Sequence, residues 1–96
     1  MIKENGQNET EQLIKVQLQN MGTVNKNRVI IMKGGKSVTL FFSYETLVAC
    51  DDVVSVNDWS NTTGRFLNEL QDDKSQRVEH AEVLKHAQAR LGKVLA

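Results

Sequence analysis

The chain has no proline and one cysteine in 96 residues, and its basic and acidic residues cancel to a formal net charge of zero. Each shortage excludes something. One thiol, Cys50, cannot close an internal disulfide. That fits a reducing compartment and leaves Cys50 as a small buried hydrophobe on a strand over Thr46–Cys50. Without proline, nothing interrupts a long C-terminal helix. A neutral total gives the whole molecule no general attraction to nucleic acid or membrane. No apolar run approaches the roughly 20 residues of a membrane span, and no basic stretch leads into an apolar run at the start. The expectation is a soluble cytoplasmic protein, in which the sequons at Asn8 and Asn61 carry no meaning.

Catalytic and metal-binding patterns are also missing. Gly35-Lys36-Ser37 resembles the end of a phosphate-binding loop, but Ile30 stands where the first glycine is needed and a strand follows instead of a helix. His80-Ala-Glu82 resembles half of a zinc deaminase site, which needs two further cysteines. His80 and His86 lie about 240° apart around a helix and are expected on its solvated face. Asp51-Asp52 and Asp72-Asp73 suit turns better than a carboxylate pair facing across a cleft. No nucleophile-elbow pattern occurs. These absences predict no enzyme, no metal and no cofactor.

What is present is an ordered progression. Residues 1–10 are polar and aperiodic and read as a disordered arm, leaving 11–96 as a single domain. From Leu13 apolar and polar residues alternate: Ile14, Val16 and Leu18 point one way, Lys15, Gln17 and Gln19 the other, as in a half-buried strand. Two β-rich runs around Gly34-Gly35 form a hairpin whose two-residue turn sets Lys33 opposite Lys36, Ile31 opposite Val38, Val29 opposite Leu40 and Asn27 opposite Phe42. The face through Val29 and Leu40 should pack on the core. The other face, carrying Met32, Ile30 with Thr39, and Arg28 with Phe41, is mixed. Strands over Thr46–Cys50 and Val53–Val56 follow, and Asp51-Asp52 turns between them.

A first helix starts at Ser60 or Asn61, with Phe66, Leu67 and Leu70 as its stripe and Trp59 stapling its start. A second starts near Ser75, with Ala81, Leu84, Ala87, Leu91 and Val94 on one side. The fold class is therefore α+β: an antiparallel four- to five-stranded meander followed by two C-terminal helices packed on one face.

Three surfaces are candidates for function. Between Gln12 and Tyr44 there is no acidic residue but five basic ones, while Glu45 to Asp73 holds seven acids and only Arg65 as a base. Lys15, Lys26 and Arg28 with the ring of Phe41 would suit single-stranded nucleic acid, phosphates meeting the cations and a base stacking on the ring; the alternative is Phe41 under a helix. Trp59, Ser60, Thr62, Thr63 and Arg65 gather more hydroxyls at a strand-to-helix junction than one cap requires and would suit a protein partner; the alternative is plain capping. A domain of this size buries only about two-thirds of its unfolded surface. Ala81, Leu84, Ala87 and Leu91 would accordingly pair two last helices in a homodimer.

Phe41-Phe-Ser-Tyr-Glu-Thr-Leu-Val-Ala49 followed by Trp59-Ser-Asn-Thr-Thr-Gly-Arg-Phe-Leu67 resembles a pattern of small bacteriophage and prophage proteins of unknown function. It covers roughly residues 25–70, with Ser43, Tyr44, Thr46, Trp59, Ser60, Thr62 and Thr63 matching. Phe66 departs from it where histidine is frequent, which argues against a polar active site. The resemblance implies a phage or prophage protein acting in the bacterial cytoplasm and brings no mechanism. The strand-then-helix order is also similar to that of coactivator-like single-strand-binding dimers, a likeness of topology alone. The leading expectation is a non-catalytic accessory protein that binds a host or phage protein, as an inhibitor or host-takeover factor would. Single-stranded nucleic-acid binding is the alternative.

Overall fold

The computed structural model describes residues 13–96, and the arm expected over residues 1–10 lies outside the described residues. Five antiparallel strands lie side by side in chain order: β1 (Lys15–Asn20), β2 (Lys26–Lys33), β3 (Lys36–Ser43), β4 (Thr46–Cys50) and β5 (Val53–Val54). Helix α1 spans Asn61–Leu70, a single 3-10 turn covers Lys74–Gln76, and helix α2 spans His80–Leu95. This is the α+β meander with two C-terminal helices that alternation and spacing predict.

Gly34 and Gly35 both adopt positive φ, 57° and 81°, the pair of left-handed residues a two-residue turn needs between right-twisted strands. The turn locks β2 and β3 in the expected register, from Lys33 opposite Lys36 to Asn27 opposite Phe42. The two-residue period then sorts the sheet into two faces. Val29, Ile31, Val38, Leu40, Phe42 and Cys50 belong to one, and Gln19, Arg28, Phe41, Ala49 and Val54 to the other. Between Phe41 and Phe42 the ladder slips, so Val48 is the extra residue of a bulge in β4. The bulge lets consecutive residues, Val48 and Ala49, both join the packing on the second face.

Each face has its own helix, a correction to the expectation that both share one. Val83, Ala87 and Val94 of α2 pack against Val38, Leu40 and Cys50. Phe66 and Leu67 of α1, both fully buried, pack against Val48, Ala49 and Val54. The reason lies in β4 and β5, which carry apolar residues on both sides, so both sides need cover.

The second helix also begins later than expected. Ser75 sits in the 3-10 turn, where Asp73 Oδ1 accepts from its backbone N–H at 3.0 Å. The chain then stays extended. Val56 N donates to Val78 O at 2.8 Å and Val78 N to Val54 O at 2.9 Å, forming a parallel bridge beside β5. The sheet edge offers Val78 those partners and its side chain joins the α2 cluster, so α2 starts only at His80. A third difference concerns β1. The strand forms, but Ile14, Val16 and Leu18 are exposed rather than half-buried.

Candidate interaction surfaces

Lys26, Arg28 and Phe41 do share a sheet face, since Arg28 stands opposite Phe41. That face is where α1 lies. Phe41 is half-buried against the Phe66 and Leu67 cluster. Lys26 pairs with Glu69 of α1, and its Nζ stands 5.9 Å from the centroid of the Phe66 ring. Arg28 Nε donates to Gln19 Oε1 at 2.5 Å. Lys15 is at the far end of β1, opposite Met32. The structure therefore brings three of the four residues together on the face that α1 packs on and leaves Lys15 at the far end of β1, and the ring proposed for base stacking is packed.

At the strand-to-helix junction, Ser60 Oγ accepts from Thr63 N at 3.2 Å and caps α1. Thr63 is buried, and its Oγ1 lies 2.8 Å from Ser43 Oγ in β3. These two hydroxyls are spent on placing the helix. Trp59 is held by a bond from its N–H to Asn57 Oδ1 at 3.0 Å. Its ring meets His80 edge-on with centroids 4.9 Å apart, and Trp59 is 36% exposed. It braces the starts of α1 and α2 at the rim and does not close the core. His80 is half-buried, its Nε2–H donating to Leu47 O at 2.8 Å, and His86 is half-buried too, so the solvated placement expected for both histidines is corrected. Thr62 and Arg65 are exposed and are what this junction offers a ligand.

The residues expected at a dimer contact divide. Ala87 is buried in the core and Leu91 packs against it, while Ala81 and Leu84 face solvent. The rotation of α2 is fixed by Arg90, whose Nε donates to Asp51 Oδ2 at 2.9 Å and whose Nη2 donates to Ser37 O at 2.6 Å. That flank faces the β4–β5 turn. By helical geometry the opposite flank, with Leu84, Leu91 and Leu95, is turned toward β2 and β1. Leu84 and Leu95 are 41% and 38% exposed, and on β1 Val16 and Leu18 are 61% and 73% exposed on the same side of the sheet. Half-buried Val29 and Ile31 lie between. The result is an apolar shelf, walled by a helix flank and ending at β1, the last strand on that side among the described residues. Alternation in β1 signals its apolar row. Its exposure depends on α2 packing over β2 to β5, which no local pattern encodes.

Cys50 Sγ, an Asp51 oxygen and a His86 ring nitrogen lie within 4.8 Å of one another. The protonated thiol and the Arg90 guanidinium disfavour a metal cation there. Burial pushes the Cys50 thiol up to about 11, with the Asp51 and Asp52 charges adding to the rise, so the thiolate a metal requires is suppressed. Burial also pushes Asp51 up, but hydrogen bonds from Arg90 and from Thr39 N, with the Arg90 and His86 charges, hold its carboxyl below the ordinary aspartate value. The Arg90 guanidinium already occupies the cationic position. The cluster ties α2 to the β4–β5 turn.

Among the described residues no helix is long and apolar enough to cross a membrane. Residues 5–85 match the profile of a family of unknown function, DUF8033. No curated protein and no solved structure matches the chain.

Proposed function

The chain belongs to DUF8033, a family of unknown function, and on that footing we propose that it is a non-catalytic, phage-type accessory protein that acts in the bacterial cytoplasm by binding a host or phage protein. The shelf between α2 and β1 carries this reading. Contiguous exposed apolar surface on a small domain marks an interaction site, and β1, an edge strand with no further neighbour among the described residues, offers backbone groups beside it. An amphipathic helix fits the shelf, because it would lay one stripe over Val16 and Leu18 and abut Leu84 and Leu95.

The test is capture of partners from a nuclease-treated bacterial lysate by the wild type and by a Leu18→Glu, Leu84→Glu variant. The expected result is one protein retained by the wild type and lost by a variant that melts at the same temperature. Equal capture by both would overturn the reading, and a nuclease-sensitive catch would favour the single-stranded nucleic-acid alternative. A second copy of this chain would compete for the same shelf. Sedimentation equilibrium distinguishes it, since the homodimer predicts a mass that doubles with concentration in the wild type and not in the variant.

A further inference from the structure

Helix α1 presents Asn61, Gly64, Arg65 and Asn68 along one flank, three and four residues apart. Together with Asn57, Lys74 and Arg77 they enclose an open groove of about 540 Å³. Among the described residues three cations line it and no carboxylate does.

Arg77 is the unusual member. It is 9% exposed, yet every acceptor it uses is neutral. Its Nε donates to Gln71 O at 3.0 Å, and its Nη2 donates to the same oxygen at 2.9 Å and to Asn68 Oδ1. Among the described residues Arg77, Arg65 and Lys74 take part in no ion pair. A buried charge ordinarily has a partner of opposite sign, because desolvating it alone is costly. The bonds that Arg77 does make fix the plane of its guanidinium and leave Nη1 unused among the described residues. They also engage the Asn68 carbonyl oxygen, which leaves its Nδ2–H donors for another acceptor.

We propose that this groove is a binding site for a phosphate monoester. The donors approach from three sides: α1, the segment before it, and the chain through Lys74 and Arg77. A tetrahedral group with three terminal oxygens meets such an array, and its charge near −2 matches three cations. A planar carboxylate would be satisfied by one guanidinium fork. The groove has room for more than a bare phosphate ion, and a nucleoside monophosphate carries the chemistry required. This site is independent of the apolar shelf, which lies on the other face of the sheet.

The test is NMR titration of the full chain at constant ionic strength, with inorganic phosphate in one arm and adenosine monophosphate in the other. Saturable shifts are expected at the Arg77 Nε–H and at the side-chain amides of Asn61 and Asn68, with tighter binding of the nucleotide. Equal affinity for the two would identify the free ion as the ligand of the same site. Arg77→Gln risks the fold, so the variant of choice is Arg65→Gln with Lys74→Gln, both at exposed positions. It should weaken binding about ten-fold or more, since charge-assisted hydrogen bonds are the strong ones. Shifts that never saturate, shifts centred on the lysines of β1 to β3, or an unchanged affinity in the double variant would overturn the proposal.

Discussion

On the α2 side of the sheet the apolar surface outruns its cover, whereas on the α1 side the positive charge outruns its counter-charge. α2 seals Val38, Leu40 and Cys50 and then stops, so Val16 and Leu18 of β1 stay in water. α1 seals Val48, Ala49 and Val54, and its outer flank adds Arg65 to Lys74 and Arg77 around a groove without acids among the described residues. The α2 side is unfinished toward β1, and the α1 side just past β5, where Val56 and Arg77 line the groove. The difference teaches that one thin sheet can support two surfaces of opposite chemistry when each face has its own helix: strand alternation supplies the apolar row of β1, and the outer flank of α1 with Lys74 and Arg77 supplies the charge.

The sharpest way to break this comparison is to truncate apolar residues on covered and uncovered ground. Phe66→Ala, at a fully buried position, should cost about 3–5 kcal/mol. Leu18→Ala, on the shelf, should stay within about 0.5 kcal/mol. Urea unfolding of the two variants checks the pair, and a large loss at Leu18 would mean that the shelf is covered in the free protein.

Ser60→Ala comes next, with an expected loss of about 1 kcal/mol from the missing α1 cap, read in the same unfolding experiment. Trp59→Ala should likewise cost well below the Phe66 value, because the ring sits at the rim.

The clasp between α2 and the β4–β5 turn is expected to show in acid. Asp51 is held below its ordinary value, so it contributes stability that is present above the unfolded carboxylate value near 3.8 and lost as pH falls through the lower folded value. Thermal melts of the wild type should therefore drop as pH passes below 4, and Asp51→Asn should flatten that part of the dependence. For Cys50 the sign reverses. Its raised value makes the native state lose stability as pH climbs from 9.0 toward about 11, and at neutral pH the buried thiol should react with a thiol reagent only on unfolding.

The smallest effect expected is on the groove side. Arg65→Gln should leave the melting temperature unchanged in phosphate-free buffer, since Arg65 is exposed and without an ion pair among the described residues. Any sizeable loss there would show the cation to be structural.

Much of the fold is legible in the sequence for a local reason. Gly34-Gly35 permits one tight turn, and that turn dictates every pairing between β2 and β3. The burial of Cys50 and the stripe through Phe66 and Leu67 are legible by the same short-range periodicity. The distribution of the helices is not, because it rests on the Val48 bulge and on the return of Val78 to the sheet, both set by distant backbone groups. The candidate sites divide in the same way. Arg65 stands out in sequence as a base within an acidic stretch. Arg77 looks like an ordinary surface residue, and its burial appears only where the carbonyl at the end of α1 comes to meet it. The basic residues of β1 to β3 are visible in sequence as a patch, with Phe41 under a helix as the alternative, and the packing of α1 decides for the alternative.

The bridge of Val78 to Ser55 gives the chain a second property. Residues 56 to 77 leave the sheet and come back to it one hydrogen bond away from where they departed. α1 and its groove are thus a closed excursion whose two ends meet beside β5 and whose inner face rests on the sheet through Phe66, Leu67 and Thr63. Such an excursion can open while the meander and α2 stay shut, in the manner of a separate cooperative unit. Its amides would then exchange hydrogen for deuterium as a group, ahead of those in β2 and β3, and a groove ligand would slow that group alone.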